Sequence, residues 1–416
     1  MTIQASNFPT VMPALTLDLT RSQYLDPRIT FSRASIGTFV DSRGILQTAP
    51  VNVARFDHNP TTGESLGLLV EEQRTNLLTY SDAILSGNGY GVNVSTLATI
   101  TTATPTGSAT ASLFTMNVGA NTGNNTDGFN FSSSITLTNS TQHTQSLFVK
   151  PAGATVLRLR SNISGLVVDF TLTGNGTAPS PISDLQSASI VALANGWYRV
   201  SWTFTTTTSA PGNRSDYWTI KTNVADGTNG LYVVGAQLEA GAFATSYIPT
   251  TTAAATRSAD VASITGTAFS SWYRQDEGSI YALGAPRYNY GGVNTFPRIF
   301  SISNGTTTTM IDGRNRVLSS FSDSGYAVAD GGATQATYDS ASNTAGQAMC
   351  IAYRVNSFAL SIGGALSDSD TSGTVPTVDR MTLGNIPVGS TSLNGTIRRL
   401  TFWPQRLGNS MLQTIT

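Results

Sequence analysis

A period of two runs through this sequence and restricts its fold more than any other feature. In residues 197–204, Tyr198, Val200, Trp202 and Phe204 are apolar, while Arg199, Ser201 and Thr203 are polar. Successive side chains of a strand point to opposite faces, so this pattern predicts one face on a core and the other in water. Asn195-Gly196 just before it is a turn signal. Similar alternation marks residues 156–160 and 217–221, and residues 146–150 form a buried-type run ended by Pro151. Past residue 257, residues 279–283, 298–302, 358–362 and 400–402 read the same way. Helical spacing occurs only at the end, through Leu407, Met411, Leu412 and Ile415, with Asn409 or Ser410 as N-cap. Many short strands separated by turn residues predict an all-β chain of the sandwich or barrel class.

At 416 residues the chain holds two or three domains of about 100–200 residues each. Residues 1–75 are punctuated by Pro9, Pro13, Pro27, Pro50 and Pro60, which central strands tolerate poorly. They read as an irregular arm with a few edge strands, an attachment or packing segment that packs on its own sandwich or on a neighbour, and removing it is expected to leave 76–416 folded. Residues 76–256 read as one β domain and 257–416 as another. The Thr- and Ala-rich run 250–256 lies between them.

Charged residues make up 11% of the chain, replaced by Thr, Ser, Asn and Gly, which suit sheets that meet water through hydroxyls. A net charge of −1 speaks against a nucleic-acid partner, since phosphate binding needs a basic patch. The densest basic spot is Arg398-Arg399, inside a strand. No run of about 18 apolar residues exists, so no membrane partner is expected. The single cysteine, Cys350, sits in an apolar strand and rules out a disulfide within the chain. With no basic and apolar leader at the N-terminus, the chain is expected to be made and kept in a reducing cytoplasm, or assembled there into something released by lysis.

Catalytic material is scarce. There are five glutamates, Glu64, Glu71, Glu72, Glu239 and Glu277, with no paired-carboxylate string for glycoside hydrolysis. Asp323, Asp330, Asp368 and Asp370 read as turn residues in Gly/Ser/Ala-rich loops. His58 and His143 stand alone, without a second histidine at metal or triad spacing. No enzyme and no cofactor are expected. The loop 121–128 is rich in oxygen ligands for a structural Ca²⁺, but its single carboxylate fits a plain Asn/Gly turn better.

Four strings carry a resemblance. Residues 67–78 read GLLVEEQRTNLL, and 195–200 read NGWYRV. Residues 235–241 read GAQLEAG, followed by TSYIPT at 245–250 and TRSADV at 256–261. The fourth runs from Ser271-Trp272-Tyr273 and Glu277-Gly278 to NGTIRRL at 394–400, Leu407 and Leu412-Gln413. Together they resemble surface proteins of tailed bacteriophage particles, of the head-spike, head-fibre or tail-fibre type. These carry a carbohydrate-binding-module-like jelly roll followed by a concanavalin A/laminin G-like domain. The resemblance implies two jelly-roll β-sandwiches after the arm, a place on the virion among other virion proteins, and assembly as a homo-oligomer, a trimer by analogy. Host-surface polysaccharide is the partner it suggests; a purely structural decoration or adaptor role is the alternative.

Physical readings accompany these strings. Glu239 and Arg257 are expected as buried partners at the domain seam, because a lone charge in so uncharged a domain is costly to bury. Glu71, Glu72 and Arg74 are expected to form an ion-pair cluster. For a glycan, the turn Arg287-Tyr288-Asn289-Tyr290 before Gly291-Gly292 offers rings for stacking and polar groups for hydroxyls, as does an outward Tyr217.

Overall fold

The fold comes from a computed structural model that describes residues 9–21, 24–118, 120, 127–131, 135, 137–160, 166–181, 185–206, 217–221, 225–287, 296–317, 322–343, 346–387 and 392–416. It is all-β, with two antiparallel sandwiches.

The first sandwich pairs a six-stranded sheet with a five-stranded one. The larger runs in the order Leu185–Ala192, Tyr198–Thr205, Gln142–Ala152, Gly230–Ala240, Thr110–Met116 and Ser95–Thr101. The smaller runs Val167–Thr171, Val156–Arg160, Tyr217–Ile220, Gly128–Phe131 and Tyr90–Asn93. Between them lie the even-numbered residues of the alternating strand: Tyr198, Val200, Trp202 and Phe204 share a buried cluster with Phe114, Phe129, Leu147, Phe170 and Trp218. The Trp202 ring lies 5.0 Å from that of Phe204 and 6.4 Å from that of Trp218.

The second sandwich has one sheet ordered Ala365–Asp370, Ser357–Ile362, Met349–Arg354, Glu277–Pro286, Gly395–Trp403, Ser65–Val70 and Arg55–His58, with Leu15–Asp18 also on Gly395–Trp403. The other runs Thr30–Ser32, Val261–Thr265, Arg380–Leu383, Arg298–Ser303, Met310–Val317, Ser322–Asp330 and Ala333–Asn343. The proline-punctuated N-terminal segment thus packs here: Leu15, Leu17, Leu19, Ile29, Phe56, Leu68 and Val70 share one core with Ile280, Phe300, Ile351 and Phe402. Losing them would open cavities throughout that core, so the expectation of a folded 76–416 fragment is withdrawn.

Two small pieces join the sandwiches. The hairpin Gly37–Val40 with Leu46–Ala49 leans on the first one, and Arg74–Asn76 pairs with Ala255–Arg257. Gly44, in the hairpin turn, has φ +74, and a Cβ there would sit 2.3 Å from the Pro60 carbonyl oxygen. The C-terminal helix, Asn409–Ile415, is capped at Gly408 rather than at Asn409 or Ser410. Asp323, Asp330, Asp368 and Asp370 lie on strands, not in the loops expected of them. Small polar neighbours of that kind line strand faces as readily as turns, and composition cannot separate the two.

Candidate functional site, a cleft on the jelly roll

The odd-numbered face of the alternating strand does not simply meet water. Arg199 and Ser201 are half-buried and Thr203 is buried. Register explains what stands around them. Ser189, Ser201, Ser146 and Gln237 form one cross-strand row. Ser187, Thr203, Thr144 and Glu239 form the next, and Val191, Arg199, Phe148 and Val234 the third. Half of this face is roofed by the turn that follows Gly230–Ala240, and the rest is open.

The roof is held by buried acceptors. Thr245 donates its N–H and hydroxyl to Glu239, both at 2.8 Å. Ser246 donates its N–H and hydroxyl to Glu71 at 2.8 and 2.6 Å. The Tyr247 hydroxyl donates to Asp82 at 2.7 Å, and the Ile248 N–H to Gln237 at 2.7 Å. Four consecutive residues, 245–248, thus hand donors to side chains fixed in strands or in the adjoining loop. Glu239 is spent on this turn and does not meet Arg257, as the sequence had suggested.

Arg257 instead reaches Glu71, 3.3 Å away, and donates to the Glu72 carbonyl at 2.8 Å. Glu71 also pairs with Arg55 at 2.7 Å. Arg55 bonds Asp260 as well, and Asp260 pairs with Arg33 at 3.1 Å. These five side chains are fully buried and draw on the N-terminal segment and the junction between the sandwiches. Glu72 and Arg74 pair separately beside them. Carbonyl oxygens of Thr38, Ala49 and Pro50 take further guanidinium protons, which is how three arginines share two carboxylates.

What remains open is a cleft of about 510 Å³. Its floor is the strand pair carrying Ser187, Ser189, Val191, Arg199, Ser201 and Thr203. Phe243, Ala244, Ser246 and Tyr247 form one wall, and Phe39, Val40 and Leu46 of the hairpin the other. The Thr38 hydroxyl donates to the Tyr247 carbonyl at 2.6 Å and ties the walls together. Among the described residues, the hydroxyls of Ser187, Ser189 and Ser201 have no hydrogen-bond partner. Arg199 lies over the Phe148 ring, 5.5 Å from its centre, and donates to Ser146 at 3.1 Å.

Of the residues expected to bind glycan, Arg287 lines this cleft, paired with the buried Asp57 at 2.8 Å. Tyr288, Asn289 and Tyr290 lie outside the described residues. Tyr217 stands on a strand of the other sheet of the jelly roll, so it is not gathered with Arg287. Sequence reasoning missed the serine floor. The available signal was that the polar positions were small hydroxyls rather than Lys or Glu, which suits a partly covered face. His58 and His143 both hold backbone carbonyls, of Val40 at 3.0 Å and Thr141 at 3.1 Å. Most of the loop considered for Ca²⁺, residues 121–126, lies outside the described residues. Among the described residues no group of three His, Cys, Asp or Glu is placed to hold a metal ion.

No protein-family model matches the chain, and no curated protein matches it. Solved structures similar in part include the receptor-binding domain of a botulinum neurotoxin mosaic serotype C/D, with 12% identity over 38% of this chain and 39% of that one, at TM-score 0.27. Mouse laminin alpha1 domains LG4-5 align at 10% identity over 64% of this chain and 83% of theirs, at TM-score 0.21. Trypanosoma rangeli sialidase aligns at 10% identity over 77% of this chain and 52% of its own, at TM-score 0.27. The chain spans about two fifths of the toxin domain. Likenesses this slight carry no argument about its function.

Proposed function

We propose that this chain is a non-enzymatic surface protein of a tailed-phage particle, a head-spike, head-fibre or tail-fibre component that binds host glycan in the jelly-roll cleft. The sequence strings support the particle, its other proteins as partners, and self-association as a trimer. The cleft supports the ligand. The carrying observation is the floor: three hydroxyls without partners among the described residues, beside apolar walls that include Phe39 and Phe243. Sugars present hydroxyls for the first and C–H faces for the second. Asp57 is the one carboxylate among the described lining residues, and it is buried and tied to Arg287. Glycoside hydrolysis by a carboxylate pair lacks its second member there.

A glycan array probed with the whole chain tests this reading. A hit that weakens about tenfold in a Ser189→Ala, Ser201→Ala variant fits the loss of two neutral hydrogen bonds of roughly 0.5–1.5 kcal/mol each. An array without hits, or a variant that binds unchanged, overturns it in favour of a purely structural decoration.

A further inference from the structure

The tandem Arg398-Arg399 has no place in the cleft. In a regular strand two consecutive side chains point to opposite faces. Here Leu283 pairs with Arg399 and Gly284 with Ile397, so Arg398 is the extra residue of a β-bulge. Ile397 and Leu400 both turn into the core, and Arg398 and Arg399 both turn out. They border a groove of about 440 Å³ on the outer face of the sheet, together with Arg21, Thr20, Ser65 and Tyr281.

Three guanidinium groups meet two carboxylates in this groove, and each carboxylate is occupied. Glu64 pairs with Arg398 at 3.0 Å. Asp18 lies across the ladder from Arg399, yet it accepts from the Thr20 hydroxyl at 2.8 Å and sits 3.4 Å from Arg21. Arg399 is exposed, stacked 5.9 Å from the Tyr281 ring centre, and among the described residues its side chain has only the Thr401 hydroxyl at 3.3 Å as a hydrogen-bond partner. A guanidinium lying against a ring still presents its edge, and a planar fork of N–H donors matches an oxyanion.

We propose that this groove binds an oxyanion carried on a glycan, a carboxylate or a phosphate group, with Arg399 as its main ligand and Arg398 beside it. The site lies on the second sandwich and does not depend on the cleft. Binding of the whole chain to immobilised polygalacturonate, dextran phosphate and plain dextran tests it. At least one charged polymer is expected to bind at least tenfold more tightly than dextran, and to weaken as salt rises. An Arg398→Gln, Arg399→Gln variant is expected to fall to the dextran level, whereas Arg399→Lys keeps part of the gain. The gain of charged polymer over plain dextran reads this groove, whereas a failure of the cleft lowers all three polymers together, which separates the two failures. If neither charged polymer exceeds dextran, or an Arg380→Gln control weakens binding as much, the proposal is overturned.

Discussion

Glu71 concentrates the chemistry that holds this molecule together. Burial alone would raise its carboxyl, but Arg257, Arg55 and the Ser246 donors outweigh that and hold it far below its ordinary value of 4.5. The ionised form is therefore tied to the folded state. Its stabilising contribution is complete above about pH 4.5, the unfolded value, and declines as pH falls toward the folded one. Asp82 behaves oppositely: burial raises its carboxyl despite Tyr247 and Thr106, so its contribution is greatest in acid and fades as pH rises. Urea midpoints should accordingly drop between pH 5 and pH 3, and Glu71→Gln should flatten that drop. At pH 7 the same variant is expected to cost about 3–5 kcal/mol, because it leaves Arg55 and Arg257 buried against a neutral group. A midpoint at pH 7 equal to that of the parent would contradict the ion-pair account.

At the scale of elements, alternation told most of the truth. The strand Tyr198–Thr205 has its even positions in the core, and the buried run at 146–150 is the middle of Gln142–Ala152. Trp202→Ala is expected to cost about 3–5 kcal/mol, removing a fully buried ring and its hydrogen bond to Gln145, and thermal unfolding would measure it. What alternation could not give is destination. Leu15–Asp18 has a legible apolar pattern, but its partner lies at residues 399–402, and no local signal names it. The same holds for the cleft, whose floor, roof and far wall come from three separate stretches of chain. The sequence suggests one ion-pair cluster of Glu71, Glu72 and Arg74, but only Glu72 and Arg74 pair with each other, while Glu71 pairs with Arg55 and with Arg257, which the sequence gives to Glu239; two buried glutamates flank the seam and sequence does not say which is nearer. The short helix Gly266–Ser270 escaped notice because five residues are too few to show a period.

For the whole molecule, two separate cores predict two separable folding units. A fragment of residues 76–256 carries its own buried cluster and should give a dispersed NMR spectrum alone. A fragment of residues 257–416 lacks seven of its core side chains and should not, until the N-terminal segment is supplied as a second piece. A dispersed spectrum from 257–416 alone would show that the N-terminal strands are dispensable.

That lacing has a consequence in time. The strand Leu15–Asp18 closes on Gly395–Trp403, so it leaves a ribosome long before the partner it needs. At roughly 5–20 residues per second, the interval is on the order of 20–80 s. During it, Leu15, Leu17 and Leu19 have no core to enter, while the jelly roll between them and their partner can already close. The jelly roll should therefore fold before the second sandwich, with the strand Leu15–Asp18 the natural client of a chaperone until its partner is made.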